Sequence, residues 1–199
     1  MKVVIVGANG AIGTAVKKHI EGKHEVISAS KSNSDVSIDI TSIESIKNAF
    51  EQIGNFDALV VAAGAVAFNS ITDITPADWE LSFSNKLMGQ INLTQIAIDY
   101  LNDGGSITLT SGVLSRECVP KGTCATVVNG ALEHFVKAAA YEMPKNIRLN
   151  IVNPTVLKES VEQYGEFFPG FKPVDSNDVA LCYQKSIEGI ESGVTYLAF

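Results

Sequence analysis

Short runs of β-branched and other apolar residues alternate along the chain with longer segments whose apolar residues recur at helical spacing. The short runs are typical of buried strands, and the longer segments are typical of helices that cover a sheet. Seven strands are predicted, over Lys2–Val6, Glu25–Ala29, Ser37–Ile38, Ala58–Ala62, Ser106–Thr110, Arg148–Val152 and Thr195–Ala198.

Five helices are predicted among these strands. Thr75 is a good N-cap for a helix that begins at Pro76, and Gly104–Gly105 is expected to close that helix and to open the next strand. The alternation of strands and helices predicts a mainly parallel sheet covered by helices on both faces. We therefore expect one doubly wound α/β domain over residues 1–199. The predicted helices are Ile12–His19, Ile43–Gln52, Pro76–Tyr100, Thr126–Glu142 and Asn177–Gly189.

The first strand leads directly into a loop with three glycines, and a helix follows. Gly7 is placed to make a tight turn, Gly10 to let the backbone approach a pyrophosphate, and Gly13 to let the helix pack on the strand. The N-terminus of the helix would then face the anion. Because this order begins a Rossmann-type unit, we expect the loop, with Asn9 and Ile12, to bind a dinucleotide.

Composition and cysteine usage argue against several classes of function. The 199 residues, 46% of them hydrophobic, are enough for one substantial core, and the net charge of −7 argues against nucleic-acid binding. No apolar run is long enough to span a membrane. The three cysteines form no Cys-x-x-Cys pair and no apolar, cationic leader is seen, which predicts a cytoplasmic protein. The histidines and cysteines lack ligand spacing, so no metal site is expected.

Further landmarks follow the glycine loop in a fixed order. They are Asp39-Ile40-Thr41, Ala62-Ala63-Gly64, Trp79, Gly105-Ser106-Ile107 leading to Thr110-Ser111-Gly112, and the segment from Ile147 through Asn153 to Pro154-Thr155. Together they make the chain resemble the short-chain dehydrogenase/reductase family over nearly its full length.

The resemblance implies a Rossmann fold and a nicotinamide dinucleotide, with a small carbonyl or alcohol as the substrate. It implies that Asp39 and Ile40 lie at the adenine, and that the cofactor site also includes Ala62, Ala63, Gly64, Pro154 and Thr155. Family members usually pair through the two helices predicted at Pro76–Tyr100 and Thr126–Glu142, which implies a homodimer or homotetramer.

The end of the second strand bears on the choice of dinucleotide. A carboxylate there would bind the ribose 2′-hydroxyl of NAD and repel the 2′-phosphate of NADP. The chain has no carboxylate until Asp35, whereas Lys31 offers a cation and Ser30 and Ser32 offer hydroxyl donors. We therefore expect NADP(H), with NAD(H) as the alternative; Lys31 could also be an ordinary solvated lysine.

The chain departs from the family where the catalytic Tyr-x-x-x-Lys pair should be. The segment Gly130-Ala131-Leu132 normally follows the lysine, which puts Ala125 at the tyrosine position and Asn129 at the lysine position. Counting from Trp79 and from Gly89 puts Lys86 where the family has an asparagine. Asn85 takes that place if the helix entry shifts by one residue. We expect Ser111, Lys86 and Asn129 to form a rearranged catalytic site.

Two classes of function remain open on these residues. The first is an NADP(H)-dependent oxidoreductase in which Lys86 supplies the charge or the proton. The second is a catalytically inactive dinucleotide-binding protein that acts as a redox sensor or an interaction scaffold. The aromatic segment Tyr164–Phe171 would cover the substrate as a lid, or pack the loop on the body or on a partner subunit.

Overall fold

A computed structural model describes all residues from 1 to 199. It contains one sheet of seven strands in the order β3-β2-β1-β4-β5-β6-β7, and all neighbouring strands are parallel. The predicted doubly wound sheet is therefore confirmed. The strands are β1 (Lys2–Val6), β2 (Glu25–Ser30), β3 (Val36–Ser37), β4 (Phe56–Val61), β5 (Leu101–Thr110), β6 (Arg148–Pro154) and β7 (Thr195–Ala198).

Seven α-helices accompany the sheet, and one π-helical segment, Phe83–Met88, lies between the third and the fourth. The helix predicted over Pro76–Tyr100 is therefore three segments. The predicted N-cap of its first segment is confirmed, because Thr75 Oγ1 accepts a hydrogen bond from the Asp78 amide. The helices are α1 (Ala11–Ile20), α2 (Ile43–Ile53), α3 (Pro76–Ser82), α4 (Gly89–Tyr100), α5 (Thr123–Ala139), α6 (Val161–Tyr164) and α7 (Ser176–Glu188).

The prediction that Gly104–Gly105 closes a helix is wrong. Helix α4 ends at Tyr100 and β5 begins at the next residue, so both glycines lie within the strand. Gly104 has a φ of +76° where the pairing of β4 with β5 shifts register. The glycines permit this irregular start of the strand. Helix α5 also begins and ends three residues earlier than predicted, at Thr123 and Ala139.

The core has two layers, one on each face of the sheet. Successive side chains of β1 point to opposite layers. Val4 and Val6 belong to a cluster of 23 buried residues, and Val3 and Ile5 belong to a cluster of 16 on the other face. Helices α2, α4 and α5 cover the larger cluster, and α1 and α7 cover the smaller one. Because the central strands are buried on both faces, their sequences are continuous apolar runs and not alternating ones.

The strand order places a crevice at the carboxyl end of the sheet. From β1 the chain passes to β2 on one side, and it later returns to β4 on the other side of β1. In doubly wound sheets such a reversal leaves a crevice in which ligands bind. No helix in the structure has the length and apolar character needed to cross a bilayer.

Candidate active site

A cavity of about 410 Å³ lies at this carboxyl edge. It extends from Ile12, after the glycine loop, past Ala62-Ala63-Gly64 to Pro154 and Thr155. Thirteen of its 22 lining residues are hydrophobic, and Lys86 is the one lining residue with a charged side chain. The cavity thus brings together the predicted catalytic positions and the part of the predicted cofactor site that follows β1, β4 and β6.

Two of the three glycines in the first loop have steric reasons to be glycine. Gly7 has a φ of +83°, and a Cβ atom there would lie 2.5 Å from the carbonyl oxygen of Ala62. A Cβ on Gly13 would lie 2.2 Å from the carbonyl oxygen of Gly7. A Cβ on Gly10 would meet only the carbonyl oxygen of Gly7, at an ordinary contact distance of 3.5 Å. Gly10 is also the N-cap residue of α1, so no side chain caps this helix. The first amides of α1 therefore remain free to bind an anion.

The remaining predicted cofactor residues lie outside the cavity, next to the glycine loop. The loop after β2 is joined to the glycine loop by Asn9, whose Nδ2 donates to the carbonyl oxygen of Ser32 at 2.7 Å. Lys31 Nζ lies 3.3 Å from Asp39 Oδ2, and both side chains are largely exposed. Hydrogen bonds from Thr41, with a smaller contribution from Lys31, lower the pKa of Asp39. Lys31 thus has a solvated partner that an incoming phosphate could replace.

The carboxylate of Asp35 is turned away from this loop. It accepts hydrogen bonds from the Ser28 amide at 2.8 Å and from the Ser28 hydroxyl at 2.6 Å, and these bonds lower its pKa. The hydroxyl of Ser30 is buried and has no hydrogen-bond partner. The end of β2 therefore carries an exposed cation and a buried hydroxyl without a partner. Ile40 packs against α4, where a Cβ on Gly89 would lie 3.0 Å from its Cδ1.

Lys86 reaches the cavity from the π-helical segment. Its Nζ donates a hydrogen bond to the carbonyl oxygen of Ser111 at 3.2 Å and has no carboxylate partner. Burial of the ammonium lowers the pKa of Lys86 to about 8. The alternative residue, Asn85, does not line the cavity. A π-turn holds one more residue than an α-turn, which changes the side chain that faces inward.

Gly64 gives Lys86 the room that it needs. It has a φ of +131°, and a Cβ there would lie 2.9 Å from the Cα and 3.0 Å from the Cγ of Lys86. Any other residue at position 64 would therefore collide with the backbone of the π-helical segment. The Ala62-Ala63-Gly64 segment thus packs directly against the turn that carries the lysine.

Ala125 and Asn129 lie one helical turn apart on α5, and both are buried in the cavity wall. Ala125 provides no ionisable group where the family has its tyrosine. The Oδ1 atom of Asn129 and the Oγ1 atom of Thr155 are buried and have no hydrogen-bond partner. Buried polar atoms are normally satisfied, so these two atoms indicate a place for a polar ligand.

Ser111 lines the cavity, and its hydroxyl is hydrogen-bonded to a carboxylate outside it. Its hydroxyl donates to Glu133 Oε1 at 2.9 Å, and Glu133 does not line the cavity. The proton of this hydroxyl is therefore directed away from the cavity. The contribution of Ser111 to the cavity is its main-chain carbonyl, which accepts the hydrogen bond from Lys86.

Glu133 is the residue that the sequence analysis missed. Its Oε1 also accepts hydrogen bonds from the Ser115 hydroxyl at 2.7 Å and from Asn153 Nδ2 at 2.5 Å, and its Oε2 accepts from Arg116 at 3.1 Å. The carboxylate thus joins α5 to the ends of β5 and β6. Its position four residues after Asn129 puts it on the same face of the helix, and this spacing was the available signal.

The aromatic segment both packs on the body and lines the cavity. The ring centroids of Phe68 and Tyr164 lie 6.5 Å apart, and those of Phe68 and Phe167 lie 5.6 Å apart. Phe68, Tyr164 and Phe168 all line the cavity. The two interpretations of this segment are therefore compatible, since the same rings fix the loop and form the cavity wall.

Comparison with known proteins identifies the family. The family model described as enoyl-(acyl carrier protein) reductase matches residues 2–198. The chain belongs to the short-chain dehydrogenase/reductase family, which is a family of oxidoreductases.

Individual relatives agree with this assignment. The solved structure of the protein lin1944 from Listeria innocua is 45% identical, with full coverage of both chains and a TM-score of 0.98. A small-chain dehydrogenase in complex with NADPH is 28% identical, with 99% and 95% coverage and a TM-score of 0.88. Tetrahydroxynaphthalene reductase from Pyricularia oryzae is 28% identical over 69% of this chain, which spans about half (52%) of that reductase's length.

The residues present fit a nicotinamide dinucleotide. Gly7 and Gly13 keep the loop after β1 tightly packed, Gly10 leaves open space at its bend, and the amides that begin α1 have no side-chain cap. Thr155 Oγ1 and Asn129 Oδ1 offer unpartnered polar atoms at the other end of the same crevice. NAD(P)-type binding is therefore consistent with both the family and the geometry.

Proposed function

We propose that this protein is an NADP(H)-dependent oxidoreductase that interconverts a small carbonyl compound and its alcohol, with Lys86 in place of the family's tyrosine and lysine. The observation that carries the proposal is the location of Lys86 as the one charged group in the cavity. The nicotinamide group supplies hydride transfer when it is bound. The protein must then orient the carbonyl and supply a proton.

Lys86 is suited to move that proton. Because burial lowers its pKa to about 8, both protonation states are accessible near neutral pH. The Ser111 carbonyl holds the ammonium in place, so Ser111 contributes its backbone and not its hydroxyl. Asn129 and Thr155 would hold polar atoms of the cofactor or the substrate through their unpartnered oxygens. The glycine loop, Ile12 and Pro154 would line the pyrophosphate and nicotinamide ends of the site.

The preference for NADP(H) rests on Lys31 and on the contacts of Asp35. Lys31 is paired only with a solvated Asp39, which a 2′-phosphate could replace, whereas the carboxylate of Asp35 is held by the amide and the hydroxyl of Ser28. The NADPH-bound relative supports the same choice. The Pyricularia relative is a tetrahydroxynaphthalene reductase, which supports a ring-bearing carbonyl substrate. A homodimer or homotetramer and a cytoplasmic location remain predictions.

An inactive dinucleotide-binding protein is the second candidate. Two observations favour it: Ala125 removes the usual acid, and the Ser111 hydroxyl is committed to Glu133. The two functions differ in turnover and not in cofactor binding.

The test is a screen of aldehydes and ketones, in which the consumption of NADPH is followed by its absorbance. Lys86→Met should lower turnover at least about tenfold, because it removes a general acid. Lys137→Met, an exposed lysine on α5, is the matched control and should leave turnover unchanged. No turnover of any carbonyl, with NADPH binding retained, would favour the inactive protein. Equal turnover of Lys86→Met and the unmutated protein would overturn the role of Lys86.

A further inference from the structure

The cavity holds one cation and no carboxylate. Among its lining residues only Lys86 is charged, and its Nζ has one protein acceptor, the Ser111 carbonyl. An ammonium has three N–H donors, so two remain for a ligand. Glu133, the acidic residue that contacts Ser111, is hydrogen-bonded to Ser111, Ser115, Asn153 and Arg116 and not to Lys86.

An unpaired cation in apolar surroundings is unfavourable unless a ligand compensates it. The lowered pKa of Lys86, about 8, reflects this cost, yet the amine is still mainly protonated at pH 7. The chain as a whole is acidic, with a net charge of −7, so long-range attraction would not bring an anion to the cavity. An anion must therefore be held by its direct contact with the ammonium.

The walls around this cation are aromatic and apolar. Phe68, Tyr164 and Phe168 line the cavity, and Phe168 also packs edge-on against Phe171, with ring centroids 5.3 Å apart. These flat walls favour a flat ring, and the volume of about 410 Å³ limits the ligand to a small molecule. A single positive charge among such rings matches one negative charge on a planar ligand.

We propose that the cavity binds an aromatic monocarboxylate, with the carboxylate on the Lys86 ammonium and the ring against Phe68, Tyr164 and Phe168. This inference deepens the proposed function, on which it rests for the identity of the cavity as the substrate site. It makes the substrate class a ring-bearing carbonyl or alcohol with a carboxylate beside the reacting group, so that the two free N–H donors of Lys86 can reach both groups. Lys86 then determines specificity through its charge.

The experiment is a calorimetric titration at pH 7 with benzoate, benzamide and acetate. Benzamide keeps the ring and removes the charge, and acetate keeps the charge and removes the ring. We expect benzoate to bind at least about tenfold more tightly than either, because hydrogen bonds to a charged group exceed neutral ones. Equal binding of benzoate and benzamide would overturn the charge argument, and equal binding of benzoate and acetate would overturn the ring argument.

Two variants test the assignment to Lys86. Lys86→Met should remove the preference for benzoate over benzamide, whereas Lys86→Arg should keep it, and melting curves check that both variants fold. Lys137→Met is the matched surface control. If Lys86→Met binds benzoate as tightly as the unmutated protein, the proposed contact is wrong.

The titration is made both without dinucleotide and with saturating NADP⁺. Benzoate binding without any NADP⁺ binding would support this inference and contradict the proposed oxidoreductase function. Binding of NADP⁺ with no benzoate binding in either arm would overturn this inference and leave the proposed function standing. The two proposals can therefore fail separately.

Discussion

The glycine loop allows a stability prediction with a closely matched control. Gly7 and Gly170 have nearly the same φ, +83° and +85°. A Cβ on Gly7 would lie 2.5 Å from the Ala62 carbonyl oxygen and 2.9 Å from the Ala63 Cβ, whereas a Cβ on Gly170 would meet nothing within 4 Å. Comparison of Gly7→Ala with Gly170→Ala therefore separates the cost of close packing from the cost of a positive φ.

The expected sizes follow from these two costs. A positive φ costs an ordinary residue about 1–2 kcal/mol, and this cost applies to both variants. The overlap with Ala62 and Ala63 adds about 1–3 kcal/mol to Gly7→Ala, as other overpacked sites do. Gly7→Ala should therefore lower the free energy of unfolding by about 2–5 kcal/mol, and Gly170→Ala by about 1–2 kcal/mol.

Urea denaturation followed by circular dichroism measures both variants. With a slope of about 2–3 kcal/mol per molar urea, the midpoint of Gly7→Ala should lie about 0.3–1.5 M below that of Gly170→Ala. Equal midpoints at an unchanged slope would show that the loop yields to a methyl group. The close approach of β1 to β4 would then not be the reason for this glycine.

Three further predictions concern charged residues. Lys86→Met should raise the free energy of unfolding at pH 7 by about 1–3 kcal/mol, since the folded pKa of about 8 lies below the unfolded value. This gain should shrink as pH rises from about 8 to about 10.5, where the unmutated lysine loses its charge; a constant gain in urea titrations across that range would contradict it. Glu133→Gln should lower the free energy of unfolding by about 1–3 kcal/mol, because it weakens the hydrogen bonds to Ser111, Ser115 and Asn153. Thermal denaturation measures this loss, and the exposed Glu142→Gln should show no change. The rate of reduction by the unmutated enzyme should fall as pH rises through about 8, because Lys86 then loses its proton. Tyr164→Phe, which changes the other titratable side chain lining the cavity, should keep this pH profile. An unshifted profile in Lys86→Arg would contradict the role of Lys86 as the proton donor.

Much of the fold follows from local sequence signals. The apolar runs, Thr75 before Pro76 and the glycines after β1 each act within a few residues, so the chain reveals them directly. The start of β5 could not be predicted from local signals, because Gly104–Gly105 are typical of a helix end. Only pairing with β4, which is far away in sequence, shows that they belong to a strand.

The site was harder to predict for the same reason. Spacing placed Lys86 and Asn129 on one cavity, but the π-helical segment that selects Lys86 over Asn85 depends on contact with Gly64. The direction of the Ser111 hydroxyl depends on Glu133, 22 residues later. Such partners are set by how β5, β6 and α5 pack. The spacing from Asn129 to Glu133 shows only that these two residues share a face of α5.

The most direct test of the account is a titration of the purified protein with NADPH and, separately, with NADH, followed by nucleotide fluorescence. We predict saturable binding of NADPH that is at least about fivefold tighter than that of NADH, with the difference lost in Lys31→Ala and kept in Lys137→Ala. Binding of neither nucleotide would contradict the account, because the glycine loop would then be a feature of the fold without a ligand.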